Sequence, residues 1–544
     1  MRGEARPADL DAIGSGLVEM ALLVAVVAFG VAGLVLVLER LRLHWASPLL
    51  SLPVAAVLFP LWPVIGGAFA FMLCGSAALG FGRNQQAVER GGQEARKARE
   101  RTGPLALVRS RRETQRATGQ RQVGARLALG IRRDRELATV PLGVRQGVRG
   151  FIPGAPGSGK TVTLAAHASA YVRAGMAAIV VDPKGDRYLR DVLAAESERS
   201  GRELLEWSPD GPIAYNPLGR GTPTEIADKA LAAEQFTEPH FLRQAQRYLG
   251  LILAAMRGAG EWPPSLSRLV YYYEPDHLSY LAGLCEEDLA ERVTGYVGDL
   301  QPRTRAELGG ARDRLAVLAE SELGRWLEPA EGTPQLDLAD VLAERKLAYV
   351  RLDADRFPLA SQMLGAAVVV DLITVTAGLH GTEPSGLVIV DEFAALAAEQ
   401  VSRLLSRSRS AGLSVLIGTQ SFADLTVARP GDQTDSLRRQ VLADVDYVVA
   451  HRQSEPEAAE ILAAMAGTQP VWTVTRHTRE RLGASAPAEE GTRKRSREFV
   501  RHPDEFKRLG VGEAIVIEPT SKREPSVVRI WTPPPANAAG RVAA

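Results

Sequence analysis

Two long apolar runs dominate the beginning of the chain. Residues 20–38 form nineteen uncharged, strongly apolar positions, and a second uncharged run covers residues 45–82 after a short polar break. A helix needs about 20 apolar residues to cross the ~30 Å hydrocarbon core of a bilayer. Because prolines cluster early in the second run, we place its helix near residues 64–79 and predict two membrane spans. A helical hairpin in the second run, giving three spans, and a cleaved signal peptide in the first run are the alternatives.

Positive charge follows the apolar runs. Residues 83–136 contain fifteen Lys and Arg against six Asp and Glu, whereas the loop between the predicted spans carries two arginines. The positive-inside rule therefore places everything after Gly82 in the cytoplasm. We interpret this basic stretch as a juxtamembrane linker that contacts anionic lipid, with nucleic-acid binding as a compatible alternative.

Short apolar runs then alternate with helical periodicity, which is typical of an α/β domain. Continuous apolar runs suit strands that are buried on both faces of a parallel sheet. The predicted strands are 148–152, 179–182, 347–352, 386–390, 414–418, 514–517 and 527–531. The middle of the chain lacks such runs and shows helical patterning instead, at 226–236, 241–256 and 303–327. Residues 470–500 are polar and charged, which predicts a loop or an exposed hairpin.

These patterns divide the chain into successive segments. The predicted segments are a transmembrane anchor (1–82), a basic linker (83–136), an α/β domain in two parts (137–221 and 341–532), an all-helical insertion between those parts (222–340) and a disordered tail (533–544).

The composition limits which classes of protein and which kinds of metal site are possible. The chain has 544 residues, 46% hydrophobic and 24% charged, with a formal net charge of +1, which excludes a wholly disordered protein. Any nucleic-acid contact must therefore come from local patches rather than from global charge. Two cysteines and no histidine pair at ligand spacing leave no cysteine-based zinc site, so a metal ion would use oxygen ligands.

A phosphate-binding loop follows the strand at 148–152. The residues Gly154, Ala155, Pro156, Gly157, Ser158, Gly159, Lys160 and Thr161 match GxxxxGK[ST] between a strand and a helix. The glycines let backbone N–H groups converge on phosphate oxygens, and the start of the helix adds favourable partial charge. We expect Lys160 to reach the β- and γ-phosphates and Thr161 to bind Mg²⁺ through its hydroxyl. Because only eight of the 65 basic residues are lysines, the lysine strengthens the match.

Two acids follow the apolar strand at 386–390. Acids at the carboxyl end of a parallel strand lie where ligands bind in open α/β sheets. We expect Asp391 to hold the Mg²⁺ shell and Glu392 to activate the attacking water as general base.

Three further polar residues are candidates. Gln420 follows the strand at 414–418 and is predicted to sense the γ-phosphate or the water. Arg409 is the candidate arginine that reaches the γ-phosphate of a neighbouring subunit, in preference to Arg407.

Several motifs in the same order resemble the coupling ATPases of conjugative type IV secretion, the TraG/TraD-type coupling proteins. The segment Asp182-Pro-Lys-Gly-Asp186 resembles the family's DPKG(D/E) motif, and Asn216-Pro217 resembles its NP motif. The segment 388–393, followed by Arg409-Ser-Ala-Gly412 and Gln420, resembles the later ATPase motifs. The resemblance covers roughly residues 140–530.

The resemblance implies a RecA-like P-loop ATPase domain with an inserted all-helical domain behind a transmembrane region. It also implies ATP and Mg²⁺ as cofactors, a homo-hexamer in the cell membrane with the ATPase domain in the cytoplasm, and delivery of a relaxase–DNA complex, with single-stranded DNA, to type IV secretion channel proteins. The chain is short after the ATPase core, so the surface that docks the relaxase complex is left open.

Three alternatives stay open at this point. An FtsK-like double-stranded DNA translocase is one, although no winged-helix pattern follows Trp531. An ATPase that energises protein export without DNA is the second. A catalytically silent scaffold is the third, and the intact Lys160 and Glu392 argue against it.

Overall fold

The computed structural model divides into two compact units, one holding residues 1–119, 131–138 and 466–501, the other holding the remainder. Each unit is described by itself. The described residues are 8–41, 43–90, 122–233, 239–328, 331–379, 386–425, 436–481, 484–521 and 523–533.

Three apolar helices form the beginning of the first unit: the long α1 (Ala8–Arg40) and α3 (Pro63–Arg90), with the short α2 (Leu52–Leu58) between them. Windows of 23 and 24 residues, Val18–Arg40 and Pro63–Gln86, are long and apolar enough to cross a membrane. Helix α3 begins at Pro63 because proline fits the first turn of a helix, where its missing N–H is not needed. Helix α2 has only 7 residues, which is too short to cross a bilayer.

The first unit also contains a two-stranded antiparallel ribbon, β11 (Thr468–Arg481) and β12 (Ala484–Phe499). Of the two structures predicted for residues 470–500, a loop or a hairpin, the chain adopts the hairpin. The register shifts between Arg476 and Thr478, where the ladder is irregular.

Most of a twelve-stranded sheet lies in the second unit, and the ends of two of its strands, at residues 131–132 and 137–138, belong to the first. Its strands are β1 (Gln122–Val123), β2 (Arg126–Arg132), β3 (Leu137–Pro141), β4 (Arg149–Pro153), β5 (Ala177–Asp182), β6 (Leu204–Trp207), β7 (Leu347–Arg351), β8 (Gly386–Val390), β9 (Leu413–Thr419), β10 (Tyr447–Ala450), β13 (Glu513–Ile517) and β14 (Ser526–Ile530). The order is β1-β2-β14-β13-β10-β4-β9-β8-β5-β7-β6, with β3 paired to β2. From β10 to β6 all neighbours are parallel, so their carboxyl ends share one edge.

The sheet begins earlier in the chain than the sequence pattern predicts. Strands β1 and β2 lie inside the stretch predicted as a linker, residues 83–136. The arginines at both ends of β2 make its sequence resemble the basic stretch before it. In the structure, its central residues Leu127, Ala128 and Leu129 are fully buried.

Helices pack on this sheet and form an insertion between β6 and β7. The helices of the α/β part are α4 (Lys160–Arg173), α5 (Arg187–Ser200), α12 (Leu338–Ala343), α13 (Pro358–Gly378), α14 (Phe393–Ser408), α15 (Ser436–Asp444), α16 (Pro456–Ala466) and α17 (Pro503–Lys507). The insertion consists of α6 (Pro223–Ala230), α7 (Pro239–Gly258), α8 (Leu266–Tyr272), α9 (Pro275–Ala282), α10 (Glu287–Gly298) and α11 (Pro302–Ala319). Within its described residues the insertion contains no strand, as the patterning predicts.

A buried polar network joins the insertion to the α/β part. The Lys229 side chain of α6 is fully buried and pairs with Asp371 of α13, which also accepts a hydrogen bond from the Tyr215 hydroxyl at 2.9 Å. Burial raises the pKa of Asp371, although the Lys229 ammonium opposes that rise. Because an unpaired buried charge is costly, this network fixes the position of the first inserted helix against α13.

Candidate active site

The loop between β4 and α4 owes its shape to glycine. Gly157 and Gly159 have φ values of +68° and +104°, in the region that side chains disfavour. A Cβ on Gly154 would lie 2.7 Å from the Cβ of His451, so only glycine fits there. The three glycines of the sequence motif are therefore each required by local geometry.

Neighbouring strands hold the loop backbone in place. The N–H of Gly154 donates to the Thr419 carbonyl at 3.0 Å, and the N–H of Ala155 donates to the Arg452 carbonyl at 2.8 Å. The Ser158 carbonyl accepts from the N–H of Gly512 at 3.0 Å. The Ser158 hydroxyl is buried without a hydrogen-bond partner in the described part of the chain. The loop is thus fixed before any ligand arrives, and it keeps an unused polar group.

Lys160 lies between the two predicted acids. Its Nζ is 2.8 Å from Asp391 Oδ1 and 3.1 Å from Glu392 Oε2, and the three side chains are 8%, 9% and 11% exposed. Burial opposes the charge of Lys160, but the two carboxylates outweigh it and raise the pKa of the ammonium above its ordinary value. The structure therefore brings together the loop lysine and the acids of β8, which are separated by more than 200 residues in sequence.

Glu392 occupies an unusual backbone conformation. Its φ and ψ are 44° and 42°, left-handed for a residue with a side chain, at the start of α14. Its N–H donates to Asp391 Oδ1 at 2.9 Å, and its Oε1 accepts from the backbone N–H of Gln420 at 3.3 Å. Backbone strain of this kind persists where surrounding contacts fix it, and it concentrates at functional sites. Gln420 thus reaches Glu392 through its main chain.

The loop after β5 brings a second lysine to the site. Asp182 holds this loop by accepting hydrogen bonds from three backbone N–H groups at 2.7–3.1 Å and from the Tyr349 hydroxyl at 2.6 Å. Lys184, at the centre of the loop, places its Nζ 3.5 Å from Glu392 Oε2. Asp182 is therefore a positioning residue, whereas Lys184 touches the candidate base directly.

Two residues of the site escaped sequence reasoning. The neutral His451 accepts a hydrogen bond at Nε2 from the Thr163 hydroxyl (2.8 Å), and its Nδ1–H donates to the Glu513 carbonyl (3.1 Å). Burial lowers the pKa of His451 to about 4, which keeps it neutral. The position of His451 directly after the apolar run of β10 is the signal that could have found it. Gly418 is the other residue, because a Cβ there would lie 2.5 Å from Asp391 Oδ1.

Arg409 lies at the opposite edge of the sheet from the loop. Its Nη1 is 3.5 Å from Asp446 Oδ1, and Asp446 also pairs with Arg149 at the first position of β4. The five residues of β4 separate this edge from the loop by roughly 13 Å, at ~3.3 Å per residue. Arg407 is exposed at the end of α14. Neither arginine is placed to contact the loop of its own chain.

The arrangement is suited to binding a polyphosphate. A helix N-terminus, a loop of backbone N–H groups and the Lys160 ammonium converge where anions bind. Thr161 is half-buried in the first turn of α4, directly after Lys160. Among the described residues, no group of three His, Cys, Asp or Glu side chains forms a metal site by itself. Mg²⁺ commonly keeps several waters and binds through one or two protein oxygens together with substrate phosphates.

Comparison with known proteins supports the sequence resemblance. A family model described as "TraM recognition site of TraD and TraG" matches residues 386–510. No curated protein matches the chain.

Three solved structures are similar in fold. The unbound monoclinic form of the bacterial conjugative coupling protein TrwB lacking its N-terminal segment aligns with a TM-score of 0.55 and 20% identity, covering 77% of this chain and 91% of that one. TrwB in complex with ADP and Mg²⁺ gives 0.53 and 19%, covering 77% and 92%. TrwB in complex with the ATP analogue ADPNP gives 0.53 and 20%, also covering 77% and 92%.

These matches confirm two of the predictions. The resemblance to coupling proteins is confirmed by the family model over residues 386–510. The predicted fold class, an α/β RecA-like domain with a helical insertion, is confirmed by the likeness of fold.

Proposed function

We propose that this chain is a membrane-anchored ATPase that moves DNA as the coupling protein of a conjugative type IV secretion system. The observation that carries the proposal is the cluster of Lys160, Asp391 and Glu392 beside a glycine-shaped loop. That cluster lies in a fold similar to TrwB, a plasmid coupling protein whose structures include complexes with ADP and Mg²⁺.

The loop and its neighbours fit ATP and Mg²⁺. The backbone N–H groups of residues 154–161 and the Lys160 ammonium would hold the phosphates, and Thr161 with Asp391 would hold Mg²⁺. The unpartnered Ser158 hydroxyl in the same loop is a further group available to a polar ligand. Bound Mg²⁺ neutralises charge that develops on the phosphates. Phosphate oxygens would also replace the carboxylates as partners of Lys160, which frees Asp391 and Glu392 for their own roles.

Glu392 is the proposed general base for the attacking water. The Lys184 ammonium lies beside its carboxylate, and the Gln420 backbone holds the other oxygen. The side chain of Gln420 is proposed to sense the γ-phosphate or the water. Arg409 is proposed to act on the nucleotide of the adjacent subunit, because it lies at the far edge of its own sheet.

The proposed cargo and partners follow from the resemblance. The chain would form a homo-hexamer and deliver single-stranded DNA, held in a relaxase complex, to the channel proteins. The N-terminal apolar helices would anchor it in the cell membrane, with the ATPase domain in the cytoplasm and the basic stretch before β1, residues 83–121, against anionic lipid. DNA gripping through the backbone is electrostatic, so transport would be indifferent to sequence.

Nucleotide binding and turnover by three variants test the enzymatic part. Lys160→Ala should lose both ATP binding and hydrolysis. Glu392→Gln should still bind ATP but hydrolyse it at least ~10²-fold more slowly, the typical contribution of a general base. Lys346→Ala is the matched control, because Lys346 also pairs with two carboxylates, Glu203 and Glu344, but lies before β7 and away from the loop. Hydrolysis by Glu392→Gln at the unmodified rate would remove Glu392 as the base.

A further inference from the structure

A cleft in the helical insertion has more basic than acidic side chains among its described lining residues. It has a volume of about 590 Å³ and lies between α7, α10 and the start of α11. Arg243 and Arg247 of α7 and Arg292 of α10 line it, and Asp299 is the acid among its lining residues. Arg243 and Arg247 are spaced i,i+4 on one helix, an arrangement of like charges that costs stability unless something compensates.

Three arginines of the insertion outside the cleft pair with acids, whereas Arg257, Arg305 and Arg325 form no ion pair with the described residues. Arg268 lies within 3.7 Å of Glu261, Arg303 lies 3.0 Å from Glu307, and Arg312 pairs with Glu274. In the part of the chain that the structure describes, the three cleft arginines form no ion pair within 4 Å. The chain as a whole has a net charge of +1, so the cleft is a local concentration of positive charge.

An aromatic platform lies in the same cleft. The guanidinium carbon of Arg247 is 4.6 Å from the centre of the Tyr296 ring. Tyr296 in turn lies beside Tyr248, with ring centroids 6.0 Å apart, and the Tyr248 hydroxyl donates to the Tyr273 carbonyl at 2.9 Å. The hydrogen bond anchors the base of this stack in the core of the insertion. Nucleobases stack on aromatic rings and on arginine planes of this kind.

Gln244 adds a hydrogen-bonding group. It lines the cleft, and its side-chain oxygen is buried without a hydrogen-bond partner in the described structure. A buried acceptor without a donor is costly, and a ligand N–H or O–H group would relieve that cost.

We propose that this cleft binds the sugar-phosphate backbone of single-stranded nucleic acid, with the phosphates on Arg243 and Arg292 and a base stacked on the Arg247–Tyr296 pair. An acidic peptide would satisfy the arginines but would leave the stacking platform unused, so the observations favour nucleic acid. The inference rests on the proposed function and deepens it, because it says where the cargo touches the chain outside the nucleotide site.

Equilibrium binding of a fluorescent oligothymidylate to the full chain in detergent tests the inference. Arg243→Gln/Arg292→Gln should weaken binding and reduce the slope of log K against log salt by about 1.4, since each lost phosphate contact on a single strand removes ~0.7. Tyr296→Leu should weaken binding about tenfold through lost stacking while the salt slope stays unchanged. Arg268→Gln/Arg325→Gln removes the same charge from exposed positions of the insertion outside the cleft and should change neither quantity.

The outcomes separate this inference from the function on which it rests. If the unmodified chain binds the oligonucleotide and the cleft variant binds it with the same affinity and salt slope, the cleft inference is overturned and the proposed function stands. If the unmodified chain binds no oligonucleotide while it hydrolyses ATP, both fail. Displacement of the oligonucleotide by polyglutamate that depends on the arginines but not on Tyr296 would assign the cleft to an acidic protein instead. Basal ATP turnover and thermal unfolding of each variant verify that the fold is intact.

Discussion

At the scale of single residues, the candidate base is held by groups that come from three different strands. Asp391 follows β8, the Gln420 N–H follows β9, and Lys184 follows β5. The strained backbone of Glu392 is tolerated because these contacts fix it. The position of the carboxylate is therefore set before ATP binds.

Replacing Lys184 should lower the rate of ATP turnover but change the affinity for the nucleotide little. Its ammonium lies 3.5 Å from Glu392 Oε2, so it holds the carboxylate in position through direct contact. Lys184→Gln is expected to lower kcat about tenfold, equivalent to ~1.4 kcal/mol of barrier. KM for ATP should change much less. Lys346→Gln is the control for loss of a paired lysine, and an unchanged kcat in Lys184→Gln would exclude Lys184 as a positioning residue.

His451 should make the ATPase fold sensitive to acid. Its pKa is lowered from 6.5 to about 4 in the folded chain. Between pH 6.5 and pH 4 the unfolded chain therefore binds a proton at this residue that the folded chain does not bind. The contribution of neutral His451 to the free energy of unfolding is therefore fully present above pH 6.5 and is lost as the pH falls toward 4. Between pH 7 and pH 5 this loss is at most about 2 kcal/mol.

Denaturant unfolding of the full chain in detergent at pH 7 and pH 5 measures this effect. His451→Gln removes the titrating ring, so its stability should fall less on acidification than that of the unmodified chain. An equal fall in both proteins would show that the acid sensitivity arises elsewhere, for example at the buried His167, whose pKa burial also lowers to about 4.

A site residue can be predicted from the sequence only where a residue type with a known chemical role stands next to an apolar run in a recognised motif. Lys160, Asp391 and Glu392 could be predicted because each follows or precedes a buried strand in a motif. His451 was missed although it directly follows the apolar run of β10, and the contacts of His451 and Gly418 could not be predicted because they involve side chains from distant parts of the chain. The contact of Lys184 with Glu392 likewise depends on β5 and β8 being neighbours, which a strand pattern alone does not reveal.

At the scale of elements, the candidate residues lie at opposite ends of the parallel strands. The loop, the acids, Lys184 and Gln420 follow the carboxyl ends of β4, β8, β5 and β9. Arg409 and its partner Asp446 precede β9 and β10, at the other edge. A subunit therefore presents its nucleotide site on one edge and its candidate arginine on the other, which is the arrangement that a ring of identical subunits needs.

Mixed rings should show whether Arg409 acts on a neighbouring subunit. Arg409→Ala and Lys160→Ala subunits are each expected to be inactive alone, and mixing them should restore part of the ATP turnover at interfaces that combine an intact Lys160 with an intact Arg409. Arg409 is 48% exposed and its ion pair with Asp446 is correspondingly weak, so it is available to a neighbour. Arg407→Ala is the matched comparison and should keep most of its activity. No recovery at any ratio, in rings shown to be mixed, would count against Arg409.

Strands were easier to predict than the limits of the sheet. Apolar runs such as 386–390 coincide with their strands because burial on both faces leaves no alternation to interpret. Strands β1 and β2 were missed because their arginines resemble those of the basic stretch beside them. The hairpin at 468–499 was predicted only as one of two options, since its polar sequence lacks the apolar face that distinguishes a strand.

At the scale of the whole molecule, apolar composition alone does not separate a membrane helix from a core helix. Among the described residues, three helices are long and apolar enough to span a bilayer, but 78% of the apolar window of α13 is buried in the protein, against 17% and 28% for the two N-terminal windows. Helix α13 also carries Asp371, which Lys229 neutralises. Helix α13 is therefore part of the α/β core, and the two N-terminal helices are the candidates for the anchor.

The domain boundaries derived from the sequence stay predictions. The described helices of the insertion, from Pro223 to Ala319, lie within the predicted limits 222–340. The tail predicted to be disordered, 533–544, lies almost wholly outside the described residues.

The measurement that tests the central claim most directly is ATP turnover by the full chain with no DNA, with single-stranded DNA and with double-stranded DNA, at two salt concentrations. A DNA motor that grips the backbone predicts strong stimulation by DNA that fades as salt rises. Preference for single strands would favour conjugative coupling, and preference for duplex would favour an FtsK-like translocase. Vigorous turnover that is indifferent to all DNA at both salt concentrations would contradict the account and indicate an ATPase of protein export.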